Sequence, residues 1–157
     1  MALSLLAAVR PDSWNFAVFV HVIGAMILVG GLITAAGAGI LGWRDADSRL
    51  RRFSALTLFG VALPGWIVMR VGAEWIYSKE GWDKVPDKLQ PTWLGIGYFT
   101  ADIGGIILLL ALILGGIGVR MARGGRGTGL LKTSTVLALV LIVVYVVAVW
   151  AMGGKPS

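Results

Sequence analysis

No cysteine occurs anywhere in the 157 residues. Its absence excludes disulfides, thiolate metal sites, iron–sulfur clusters and covalent c-type haem attachment. Histidine occurs once, at His21, so no site built on several imidazoles is available within one chain. Charge is also scarce: only 14% of residues are Asp, Glu, Lys or Arg, against 57% hydrophobic, and the mean hydropathy is +0.85. A chain this apolar does not stay in water, and its charges gather in short stretches between long apolar runs. The motifs H-E-x-x-H and G-x-S-x-G and the P-loop are missing, so no hydrolase or nucleotide-binding chemistry is read and no catalytic residue is assigned. The formal charge of +6 flanks apolar spans, where it sets topology and meets lipid headgroups; nucleic acid is not expected as a partner.

What is present reads as an all-α polytopic membrane protein, a single domain over 1–157 forming an antiparallel bundle of four transmembrane helices. A span needs about 20 apolar residues, and the length leaves room for four with modest connections. The spans are expected at about 14–43, 53–77, 94–121 and 130–152. Pro11, Asp12 and Ser13 open the first, which is rich in small residues (Gly24, Gly30, Gly31, Ala35, Gly39 and Gly42) and so suited to close helix approach in lipid. Pro64 and Gly65 interrupt the second, where the missing backbone donor predicts a kink. Gly81, Pro86 and Pro91 mark the polar loop that follows, and R-M-A-R-G-G-R-G-T-G makes a short basic turn after the third span. No internal repeat or heptad seam stands out. The N-terminal stretch has no basic n-region before its apolar residues and is expected to be retained.

Lys and Arg counts orient the bundle. The first and third connections carry Arg44, Arg49, Arg51, Arg52, Arg120, Arg123, Arg126 and Lys132; the other side carries Arg10, Lys79, Lys84, Lys88 and Lys155. Eight against five predicts that both termini and the second loop face outward. Trp14, Trp75, Trp93 and Trp150 then fall at the outer interface and Trp43 at the inner one, as anchors.

Four ionisable residues lie within the spans: His21, Arg70, Glu74 and Asp102. At about 1.5 Å of rise per residue, His21, Arg70, Asp102 and Tyr145 each sit roughly 10–12 Å from the outer end of their helices. Successive helices reverse direction, so all four belong to one outer layer. Arg70 and Glu74 share a face at i, i+4, as do Tyr98 and Asp102. An Arg70–Asp102 pair between helices is the expected geometry, with Glu74 nearer water. Two readings of this cluster stay open: an ion pair that pins two helices, or a ligand or proton site. His21 heads a stripe through Gly24, Leu28, Gly31 and Ala35, which either admits another helix or leaves room for a flat ligand with the imidazole as axial ligand. The second axial position would then come from a Met, a water or the same histidine across a two-fold axis.

The segment F-V-H-V-I-G-A-M-I-L-V-G-G at positions 19–31 resembles the opening helix of a family of uncharacterised four-helix bacterial integral membrane proteins. More distantly it is similar to the copper-resistance membrane domain and to the haem-binding membrane protoporphyrinogen oxidase. The resemblance implies a bacterial inner-membrane protein in which His21 occupies a haem-ligand position, with haem b as cofactor. A second histidine or an additional lysine that would complete an oxidase site has no counterpart here, so the resemblance leaves enzyme activity open. The leading expectation is a small haem b or related redox membrane protein, with His21 on the iron, Gly24 and Gly31 giving space, and Arg70 neutralising a propionate. The alternatives are a transporter or channel using Arg70, Glu74 and Asp102, and a structural subunit of a homodimer or larger membrane complex.

Overall fold

The computed structural model describes residues 12–154 other than 46, 123 and 125. Arg10, Pro11, Arg123 and Lys155, used above for orientation and helix start, lie outside the described residues. Four helices carry the chain across a membrane thickness: α1 (Asn15–Arg44), α2 (Ser48–Glu80), α3 (Thr92–Ala122) and α4 (Thr128–Gly154). Each contains an 18-residue window apolar enough to span the hydrocarbon core. The protein is therefore a small polytopic membrane protein, and its outer surface agrees. Phe19, Met26, Phe99, Val143 and Val149 are among many large apolar side chains left exposed, a surface that only lipid can solvate.

The helix ends lie within a few residues of their expected places, the largest difference being at α2, which begins at Ser48 rather than 53. Asp47 accounts for it. Its side chain accepts the Arg49 N–H at 2.7 Å, an N-cap that starts the helix in the basic headgroup zone before the apolar run begins. Where a kink was expected at Pro64, α2 widens into one π-helical turn, Leu58–Ala62, and resumes α geometry at Leu63. The proline has no N–H and its ring crowds the carbonyl four residues back, so a turn bonded i to i+5 just before it relieves both problems. Gly81, at φ 75°, closes α2 in the left-handed conformation. The loop beyond is tied down by Gln90, whose amide donates to the Tyr77 hydroxyl and to the Trp82 and Val85 carbonyls.

The helices pack antiparallel in pairs, α1 on α2 and α3 on α4, with α1 also against α4. Between α1 and α2 a regular seam does exist, contrary to the sequence reading. Among the buried positions of α1 is the run Gly24, Leu28, Gly31, Ala35, Ala38 and Gly42; among those of α2 is the run Leu58, Ala62, Gly65, Met69 and Gly72. These are alternating steps of three and four, the spacing of a heptad. Its glycines interlock reciprocally: a side chain at Gly24 would strike the Met69 backbone, at Gly31 Ala62, at Gly65 Leu28, and at Gly72 His21. In lipid, such close backbone approach supplies the van der Waals energy that hydrophobicity alone does not. Hydroxyls add one bond to each pair: Ser54 Oγ donates to the Ala35 carbonyl, and Ser134 Oγ to the Ala111 carbonyl, each at 2.7 Å.

Candidate functional site

The α2–α3 seam is different. The two helices touch sparsely, and polar contacts bridge them. Arg70 donates to Asp102 Oδ1 on α3 at 2.9 Å and to Glu74 Oε1 on its own helix at 3.2 Å. The guanidinium carbon also lies 4.8 Å from the centre of the Tyr98 ring, a cation–π contact. One turn earlier on α2, the Trp66 indole donates to the Ala101 carbonyl at 3.3 Å. Arg70 is 24% exposed, while Asp102 and Glu74 are 58% and 52% exposed. The cation thus sits inside the bundle and its carboxylates at the edge, as a charge in a membrane must be paired or wet. One guanidinium facing two carboxylates leaves the cluster with a formal excess of one negative charge.

His21 and Tyr145 complete the layer. A cleft of about 860 Å³ reaches all four helices at this depth, with His21 and Met26 on α1, Arg70 on α2, Tyr98 on α3, and Tyr145 and Met152 on α4 among its walls. Residues of both α1 and α4 line it, and these two helices come close beyond it, where Gly39 abuts Thr135. Exposed Val22, Met26 and Val149 form its rim, so it opens toward lipid.

The imidazole is fixed by α2. His21 Nδ1–H donates to the Met69 carbonyl oxygen at 2.9 Å; a carbonyl only accepts, so the proton belongs on Nδ1. In the neutral ring the free lone pair is then on Nε2, the arrangement that histidine ligands adopt when a backbone carbonyl orients them. Two hydroxyls in the cleft wall, those of Tyr98 and Tyr145, are buried with no hydrogen-bond partner among the described residues. Tyr145 is only 4% exposed. The Trp66 indole lies beside it, but that N–H is directed at the Ala101 carbonyl.

Of the residues singled out from sequence, the structure brings His21, Arg70, Tyr98 and Tyr145 to one cleft and ties Glu74 and Asp102 to it through Arg70. Gly24 and Gly31 are not in its wall; they are buried in the α1–α2 seam, and the space their stripe leaves is filled by α2. The Met69 carbonyl, the partner of His21, had no sequence signal, because any residue supplies a carbonyl. Met152 and Trp66 were likewise unread. Toward the opposite half of the bundle, threonine hydroxyls among the described residues bond back to their own helices rather than extending the polar layer. Thr34 and Thr57 turn back to the carbonyls of Gly30 and Phe53, and Thr135 to that of Leu131. Searches against protein-family models, curated proteins and solved structures returned no match.

Proposed function

We propose that this membrane protein binds haem b or a related planar redox cofactor in the cleft, with His21 Nε2 as axial ligand. The observation that carries the reading is the bond from His21 Nδ1 to the Met69 carbonyl, which leaves a lone pair on Nε2 of a residue in a mainly apolar wall. The residues present fit such a group. The cleft volume lies within the roughly 300–1,000 Å³ of small-molecule sites, and its walls are mainly aliphatic and aromatic with few polar groups. Met26, Met69 and Met152 line the same space, so a thioether would be available as a further iron ligand within one chain.

Arg70 takes a different part from the one read in the sequence. Two carboxylates already engage it, so it has no unshared charge for a propionate. Bound haem iron would supply one-electron chemistry. The protein's part is to hold the imidazole in one tautomer and orientation through the Met69 carbonyl, and to exclude water with the aliphatic walls. The excess of basic residues at the α1–α2 and α3–α4 connections supports placing the cleft toward the outer leaflet of a bacterial inner membrane.

Haem titration into purified protein in lipid nanodiscs tests the reading. A saturable Soret band is expected, lost in His21→Ala and restored in part by added imidazole. A protein that stays colourless, or a band that His21→Ala leaves intact, would overturn it.

A further inference from the structure

At the opposite end of the bundle lies a second concavity, independent of the cleft and of any cofactor. About 380 Å³ in volume, it sits where α2 begins, α3 ends and α4 begins. Four arginines surround it, Arg49, Arg51, Arg52 and Arg126, with the Ser48 and Thr128 hydroxyls; Val119 and Leu131 give it an apolar flank. Arg51 is held across it, its Nε donating to the Asp47 carbonyl at 3.3 Å and its Nη1 to Thr128 Oγ1 at 3.5 Å. The carboxylates nearby are engaged elsewhere. Asp45 pairs with Arg44 at 3.1 Å, and Asp47 caps α2 through the Arg49 N–H. Among the described residues Arg49, Arg52 and Arg126 pair with no carboxylate.

So many guanidinium groups around one hollow repel one another unless an anion sits among them. Guanidinium matches phosphate oxygens in a planar, two-bond fork, and the beginnings of α2 and α4 add their N-terminal dipoles. Position decides which anion. The hollow is at the ends of membrane spans, at headgroup depth, and Val119, Ala122 and Leu131 give it an aliphatic side, which suits a phosphate that carries acyl chains. We propose that it is a binding site for the phosphate of an anionic membrane lipid, a phosphatidylglycerol or cardiolipin type, of the leaflet on that side.

Native mass spectrometry and thermal unfolding of the full chain test this. The probes are phosphatidylglycerol, phosphatidylcholine and inorganic phosphate, each added to delipidated protein. Phosphatidylglycerol is expected to stay bound and raise the melting temperature, while phosphatidylcholine does neither. Arg49→Gln/Arg52→Gln/Arg126→Gln should weaken retention by roughly fivefold for each arginine removed. Arg126→Gln alone, a change at one exposed side chain, should show the single-step loss even if the triple variant folds poorly. Lys79→Gln/Lys84→Gln/Lys88→Gln removes the same charge at the other end and should leave retention unchanged. Equal retention of both lipids, or unchanged retention in Arg126→Gln, would overturn the proposal. So would inorganic phosphate at low millimolar concentration giving the same stabilisation and displacing the lipid, which would make the hollow a soluble-anion site.

Discussion

The two seams of α2 are built on opposite principles. Toward α1 its glycines and alanines let backbones interlock, and little but a serine hydroxyl and the His21 ring crosses between the helices. Toward α3 contact is sparse, and an arginine, an aspartate and an indole bridge the gap. The first arrangement leaves no space between its backbones, whereas Arg70, Tyr98 and Ala101 of the second line part of the cleft that α1 and α4 complete. A helix pair in lipid is held either by shape or by polar bonds, and only the second leaves room for something else.

The comparison breaks most visibly at the glycines. Gly24→Leu should cost about 3 kcal/mol or more, because the side chain meets Met69 backbone that cannot move aside; a large drop in unfolding midpoint in detergent checks it. Gly30→Leu on the open face of α1, where a side chain meets nothing, is the control and should be near neutral. Across the polar seam, Asp102→Asn should cost about 1 kcal/mol, since the lost carboxylate is more than half exposed and Arg70 keeps Glu74. Urea titration of the variant alongside Glu74→Gln measures it, and a larger effect for Glu74→Gln would refute the view that Asp102 is the strap. The smallest effect is expected at Ser54→Ala, about 0.6 kcal/mol for one bond between helices to the Ala35 carbonyl, read from the same unfolding curves. If Ser54→Ala proved as damaging as Gly24→Leu, polar bonding rather than shape would hold the first seam.

Much of this architecture was legible in the chain. Span number and limits follow from apolar length, and the shared depth of His21, Arg70, Asp102 and Tyr145 follows from helix rise and reversal of direction. The i, i+4 spacing put Arg70 beside Glu74, and depth put it opposite Asp102. The heptad of α1 and α2 escaped notice for a physical reason. A heptad is seen by contrast between apolar and polar positions, but here lipid keeps the outer faces apolar too, and the seam is marked only by size, with Gly24 and Gly31 facing Gly65 and Gly72. Size alone left two readings open for the small residues beside His21, a close helix or a ligand's space, and α2 fills the stripe at Gly24 and Gly31. The cleft itself was hidden, because residues of all four helices line it, a convergence that no local pattern encodes. The tautomer of His21 was out of reach for a similar reason, since its determinant is a main-chain oxygen of Met69.

The rim formed by Val22, Met26 and Val149 sets the medium from which the cleft is filled. A ligand of the cleft would enter sideways, already dissolved among acyl chains, and its local concentration there would be its aqueous concentration multiplied by its partition coefficient. Modest intrinsic affinity then suffices for full occupancy by a greasy molecule, and a water-soluble analogue with the same polar head would look like a non-binder.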